Sequence, residues 1–221
     1  EAAAHDRIVT FGCVPDRPAT GYGYIKPGAA LASANGASEV AQFVEKPDEP
    51  TAARHIADGY LWNSGNFLFK SDVFLAEYAA FEPTSAAAVA SAVKNGSTDL
   101  DFFMLDEKQF KAAARKSIDY AVMEKTRRAA VVRADYGWSD LGGWHAVWSH
   151  TERDHAGNAR RGRVVLLDSG DSYIASDNKL VAVLGVKNLV AVVEDDAVLI
   201  ADRSRAEDLR KLVEELRKQG H

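Results

Sequence analysis

The 221-residue chain is poor in the features that announce a special chemistry. It carries one cysteine, Cys13. That count excludes an intrachain disulfide framework and a cysteine-rich zinc site, and Cys13 reads as a small buried hydrophobe. No run of about 18 apolar residues occurs, so no membrane-spanning helix and no membrane partner are expected. A basic segment followed by an apolar one is missing at the start, so no signal peptide is visible and a cytoplasmic location is expected. An initiator Met is missing too, and the opening residues already read as a helix end and a strand, which suggests a start inside a domain. A dominant sign of charge is lacking: 27 Lys and Arg stand against 32 Asp and Glu, a net charge of −5. Without a basic footprint, no nucleic-acid partner is expected. Several catalytic signatures are absent as well. The chain has no G-x-x-x-x-G-K-[ST] phosphate loop, no G-x-G-x-x-G after a strand, no H-E-x-x-H and no G-x-S-x-G. His145, His150 and His155 recur every five residues, which does not place two ligands on one helix face, and they read as solvent-exposed.

What is present is the composition of a globular protein, 47% hydrophobic and 27% charged, in a chain long enough to bury a substantial core. Up to about residue 150, short strands alternate with helices. Strands are predicted at 7–14, 22–25, 40–44, 67–69 and 129–133. Helices are predicted at 51–58 with Thr51 as N-cap, at 71–81 with Ser71 as N-cap, and at 85–95 with Gly96 as the glycine stop. Two more are expected at 101–114 and 117–125. Asn63-Ser64-Gly65-Asn66 reads as a turn, and 135–148, with its glycines and three tryptophans, as a site-forming loop running into a helix. After residue 155 the texture changes. Five short β runs, at 164–167, 172–175, 180–184, 189–193 and 198–201, recur roughly every nine residues, which argues a small unit of stacked hairpins or β-helix-like coils. A final helix carries Leu209, Leu212, Val213 and Leu216 at helical spacing, with Ser204 and Glu207 as a capping box and Gly220 as its stop.

Four positions could carry chemistry. Glu45-Lys46-Pro47 ends a strand, where α/β folds gather their loop residues. The carboxylate of Glu45 can accept from sugar hydroxyls, and Lys46 can meet a phosphate. A surface ion pair is the competing reading. Asn63 offers an amide that both donates and accepts, against the plainer reading of a turn residue. Asp140, in a Gly-rich loop after a strand, could hold Mg²⁺ together with substrate phosphates, or could simply form an Asx turn.

These residues sit in segments that resemble the bacterial mannose-1-phosphate guanylyltransferases, or GDP-mannose pyrophosphorylases. The segments are TGYGYI at 20–25, FVEKP at 43–47, YLWNSGNFLF at 60–69, SIDYAVMEK at 117–125 and GWSDLGGW at 137–144, with a β tail at 180–199. FVEKP alone indicates only the wider sugar-nucleotide transferase group, and WNSG with GWSDLGGW narrows it to the mannose branch. The resemblance implies the C-terminal part of a Rossmann-like α/β nucleotidyltransferase domain over 1–150. A small β-rich, β-helix-like unit over 155–202 and a terminal helix over 203–221 would follow. The family's opening phosphate loop and its P-x-D-H segment are not in this sequence. The nucleotide-binding half is therefore expected outside it, as is the cupin-type isomerase domain with which many relatives continue.

The resemblance also implies a reaction and roles. Mannose 1-phosphate and GTP would be joined, with Mg²⁺ as cofactor, into GDP-mannose and pyrophosphate. Tyr22 and Gly23 would approach the sugar, Glu45 would bind its hydroxyls, Lys46 its phosphate and Asn63 the ring edge. Asp140 would be one of two metal carboxylates. Lys46 and Asp140 are thus the catalytic candidates. Asp119 and Glu124 are weaker ones, for which helix capping and surface exposure are equal explanations. The β unit suggests subunit or domain contacts, and a homodimer is an expected partnership. A non-catalytic sugar-phosphate-binding or assembly fragment, and a transferase for another sugar 1-phosphate, remain as alternatives.

Overall fold

A computed structural model describes residues 1–220, apart from the side chains of Ala206 and Glu207. The chain divides into two compact units, Glu1–Trp138 and a second one from Ser139 onward. Among the described residues, no helix is long and apolar enough to cross a membrane.

The first unit is built round a mixed five-stranded sheet that closes into a barrel in the order β1-β4-β2-β3-β7. β1 (Ile8–Cys13) is apolar along almost its whole length because both its faces are covered. It pairs in parallel with β7 (Ala129–Ala134) and antiparallel with β4 (Leu61–Leu68). β2 (Gly23–Ala30) pairs antiparallel with β4 and with β3 (Ala37–Glu45), and β3 closes the ring on β7. The main core gathers Ile8, Ile25, Val122 and Met123, at 0–1% exposure, with buried neighbours such as Phe43 and Leu61. Each such side chain contributes about 1.5–3 kcal/mol by leaving water. Around the barrel lie α1 (Glu49–Ala57), α2 (Ser71–Phe81), α3 (Pro83–Lys94), the hairpin β5 (Ser97–Asp99) and β6 (Phe102–Met104), and the short α4 (Glu107–Lys111). Cys13 is 6% exposed, a buried thiol whose pKa burial pushes up.

Several local expectations are corrected here. The turn read at 63–66 lies inside a continuous strand, β4, as an irregularity where the β1 pairing slips between Thr10 and Gly12. The helix expected at 101–114 is shortened to α4 over Glu107–Lys111, because Phe102–Met104 at its start pair as β6 with β5 across a turn at Leu100 (φ 51°). Asp48, not Thr51, caps α1 by accepting the Thr51 N–H at 3.0 Å. Lys70 stands at the N-cap of α2, and Ser71 is its first helical residue. Asn95 closes α3, while Gly96 serves the close approach of Phe103 instead. The segment 117–125 contains one wide π-helical turn, Asp119–Met123, in which Glu124 N–H donates to Asp119 C=O.

The second unit opens with α5 (Trp144–His150) and continues into a four-stranded sheet of order β11-β10-β9-β8. β8 (Ala159–Leu167), β9 (Tyr173–Leu184) and β10 (Leu189–Val193) run parallel, and β11 (Val198–Asp202) returns antiparallel on β10. Parallel neighbours joined by tight turns are coils rather than hairpins, and the runs read at 172–175 and 180–184 are one strand. Trp144 stacks on Tyr173 at 5.6 Å, and the Arg203 guanidinium lies 3.6 Å from the Trp148 ring centre. His145, His150 and His155 are exposed. α6 (Leu209–Lys218) ends ahead of Gly220 at φ 85°. The capping box at its approach needs the Glu207 side chain, which lies outside the described residues. On the described side Asp202 accepts from both the N–H and the hydroxyl of Ser204, so Asp202 caps the turn.

Candidate functional site

In the first unit, the ends of β2 and β3 and the irregular middle of β4 meet at one place. β2 starts at Gly23, which pairs with Glu45 at the end of β3. A Cβ on Gly23 would lie 2.5 Å from Glu45 Oε2 and 3.2 Å from Asn63 Cβ. Gly23 therefore permits a close approach that any side chain would block. The Glu45 side chain is only 6% exposed, and Lys46 Nζ donates to it. Burial pushes the Glu45 carboxyl above the ordinary glutamate range. The Lys46 hydrogen bond opposes that rise, and the negative charges of Asp119 and Glu124 add to it. The same hydrogen bond holds the Lys46 proton more tightly than usual. Lys46 itself sits at φ 51°, a left-handed conformation that costs a non-glycine residue about 1 kcal/mol or more and turns the chain sharply after β3.

Asn63 is 7% exposed, and its carboxamide is fully engaged on the oxygen side. Oδ1 accepts from Thr10 Oγ1 at 2.7 Å and from Gly65 N–H at 3.2 Å, while Nδ2 donates to Asp119 Oδ1 at 3.2 Å. Gly65 reaches this position through φ 73°. The wide turn that begins at Asp119 aims that carboxylate at Asn63, and Glu124 Oε1 accepts the Glu45 backbone N–H at 3.1 Å. Wide turns of this kind recur at functional sites, where they re-aim a side chain.

The structure therefore gathers Gly23, Glu45, Lys46 and Asn63, and adds Asp119, Glu124 and Thr10 to them. Tyr22 joins through its backbone, its carbonyl accepting the Lys46 N–H at 3.2 Å. Its ring lies edge-on to Trp62 at 5.0 Å and to Trp138 at 5.3 Å, with the Arg17 guanidinium over both Tyr22 and Trp62. Thr10 was not singled out by the sequence reading. A threonine in the middle of the doubly covered run IVTFGC was the available signal, because a buried hydroxyl needs a partner.

Asp140 belongs to the second unit. Its Oδ1 accepts the Gly142 N–H at 3.0 Å, the Asx turn that was one of its two readings. A Cβ on Gly142 would lie 2.5 Å from Asp140 Oδ2, so the glycine leaves the carboxylate its room. Among the described residues, no group of three or more His, Cys, Asp or Glu is placed to hold a metal ion. The Asp140 carboxylate is a hard oxygen donor, the ligand type that Mg²⁺ takes.

A model of the nucleotidyl transferase family matches residues 1–157, and one described as the MannoseP isomerase/GMP-like beta-helix domain matches residues 162–216. The mannose-1-phosphate guanylyltransferase ManC of Salmonella typhimurium is 46% identical over 97% of this chain and 45% of its own length. The xanthan biosynthesis protein XanB of Xanthomonas campestris pv. campestris is 44% identical over 99% of this chain and 46% of its own. Among solved structures, the mannose-1-phosphate geranyltransferase of Thermus thermophilus superposes with a TM-score of 0.82 at 31% identity. That match covers 98% of this chain and 62% of the other. The chain spans about half the length of the curated relatives it matches.

Proposed function

Because the chain belongs to the nucleotidyl transferase family, we propose that its first unit carries the sugar-phosphate site of a mannose-1-phosphate guanylyltransferase. The reaction would make GDP-mannose and pyrophosphate from mannose 1-phosphate and GTP. The observation that carries the reading is the convergence of Gly23, Glu45, Lys46 and Asn63 at the meeting of three strands.

The chemistry follows from the donors and acceptors at that place. The ionised Glu45 carboxylate accepts from sugar hydroxyls, and its low exposure strengthens each such bond. Gly23 lets Glu45 and Asn63 close up on the strand start, so that both groups face one sugar from the same place. Lys46 is half exposed and held by Glu45, so its ammonium can swing from that carboxylate to a phosphate without leaving the site. A phosphate so held presents its oxygen to an incoming α-phosphorus, and position with charge neutralisation is most of the catalysis in phosphoryl and nucleotidyl transfer. Mg²⁺, when bound, would supply further neutralisation, with Asp140 as this chain's ligand to it. The resemblance of 44–46% to proteins named for mannose 1-phosphate and for xanthan favours mannose as the sugar and polysaccharide precursors as the use.

Calorimetric titration of the 221-residue chain with mannose 1-phosphate tests the reading directly. Saturable binding, weakened by Lys46→Ala and lost in Glu45→Ala, is the expected result. Equal affinity for mannose 1-phosphate, glucose 1-phosphate and inorganic phosphate would remove the sugar from the proposal. Pyrophosphate release with GTP and Mg²⁺ tests the whole reaction, for which the relatives use about twice this length of chain.

A further inference from the structure

We propose that Thr10 is a positioning residue for this site, fixing the Asn63 carboxamide so that it offers a ligand an N–H donor and no acceptor. The inference rests on the sugar-phosphate reading of the same site and adds to it the polarity with which the site meets a sugar edge.

Thr10 is fully buried in β1, between Val9 and Phe11. Its hydroxyl donates to Asn63 Oδ1 at 2.7 Å, across the gap where β4 departs from regular pairing. The Gly65 N–H donates to the same oxygen at 3.2 Å. A carboxamide oxygen has two lone pairs, and both are used. The opposite orientation of the amide is excluded by two partners of fixed polarity. It would set the Nδ2 protons against the Gly65 N–H, and Oδ1 against the Asp119 carboxylate. Asn63 Nδ2 spends one proton on Asp119 Oδ1 at 3.2 Å and keeps one for a ligand.

A definite recognition follows. Asn63 donates, while Glu45 and Asp119 accept. A sugar hydroxyl between them must accept from Asn63 and give its own proton to a carboxylate, and a hydroxyl can do both at once. A deoxy position can do neither, and an O-methyl position can only accept. The favoured ligand therefore presents a free hydroxyl at this place.

Thr10→Val and Thr10→Ser in the 221-residue chain separate the hydroxyl from the shape. The first reading needs no ligand: hydrogen exchange of the Asn63 side-chain amide protons, followed by NMR. The proton that Asn63 gives to Asp119 should be protected in the parent and in Thr10→Ser, and should exchange about tenfold faster or more in Thr10→Val, the size of one lost net hydrogen bond. The second reading is calorimetric. Mannose 1-phosphate should bind about tenfold more weakly to Thr10→Val and normally to Thr10→Ser. Inorganic phosphate, held by Lys46, should bind all three alike. A merely structural loss would weaken both ligands together. A parent in which the Asp119-bonded Asn63 proton is unprotected overturns the proposal, whether or not the valine variant folds. So does a valine variant with parental exchange and affinity, or a serine variant that behaves like valine. If the parent does not bind mannose 1-phosphate while Thr10→Val still releases the Asn63 amide, the positioning by Thr10 stands and the sugar-phosphate reading falls.

Discussion

Glu45 is held in two opposed ways. Its side chain is nearly buried and its pKa raised chiefly by that burial, so folding favours the protonated form, whereas accepting from a sugar hydroxyl needs the ionised one. For an acid whose folded pKa is raised, the stabilising contribution is complete below the ordinary glutamate pKa and is lost as pH rises through the raised value. Above that raised value the ionised Glu45 is thus a cost to stability, partly offset by Lys46. Glu45→Gln should therefore leave the melting temperature at pH 7 unchanged or raise it by a few degrees, while reducing affinity for mannose 1-phosphate. A clear fall in melting temperature would show that the ion pair stabilises the fold. Acidification should weaken binding in the parent at a pH above the usual glutamate range. Glu45→Gln should lack that step and keep only the one from the ligand's own phosphate, whose second pKa is about 6.

The residues of this site were legible in the sequence to different degrees. Glu45, Lys46 and Asn63 lie in short polar interruptions beside strands, where a carboxylate, an ammonium and an amide stand out. Gly23 was visible as a glycine in a strand, though only the structure shows that Glu45 and Asn63 fill the space of its missing side chain. Thr10 was hidden because its role depends on Asn63, 53 positions away, and no local pattern reports a contact of that range.

Elements were legible where one period dominated. β1, β7, β10, β11, α2 and α3 appear close to their expected places, since their apolar patterns are unbroken. The failures share a cause. β4 was split because Asn63-Ser64-Gly65 has turn chemistry, yet pairing with β1 at Trp62 and Asn63, and again at Phe67 and Leu68, carries the strand through with a single slip of register. β2 runs on to Ala30 through Pro27 and Gly28 at the cost of two irregularities against β3. In both cases tertiary pairing overrode local preference. Such irregularities leave little slack in the site. Gly23→Ala would push a methyl group against Glu45 Oε2 and Asn63 Cβ, so that the Glu45 carboxylate has to leave its place beside Lys46. The variant should fold with a loss of about 1–3 kcal/mol, the usual cost of overpacking. Mannose 1-phosphate binding should fall by about tenfold or more, an energy equivalent of about 1.4 kcal/mol. Parental affinity in Gly23→Ala would place the sugar away from this strand start.

At the scale of the whole chain, the sequence changes texture near residue 155, while the two compact units divide between Trp138 and Ser139, and the buried apolar clusters of one unit share no residue with those of the other. Ile8, Ile25, Val122 and Met123 centre the first, and Ala159, Tyr173, Val190 and Val192 the second. The parallel coils of the second were only one of two readings, because the direction of pairing is not encoded in strand spacing. Gly162 shows what those coils demand. At φ 81° its missing Cβ would fall far inside van der Waals contact with the Ser176 carbonyl oxygen, where β8 passes β9. Gly162→Ala combines a left-handed conformation with a backbone clash, and should cost about 3 kcal/mol or more. Separate cores imply that this cost falls on one unit. Hydrogen-exchange mass spectrometry of the variant should show faster exchange over 159–202 and parental protection over the barrel strands at 8–13, 23–30 and 129–134. Mannose 1-phosphate binding should be retained. Loss of protection in both regions together would mean that the two cores fold as a single cooperative unit, and that the sugar-phosphate site depends on the β coils for its stability.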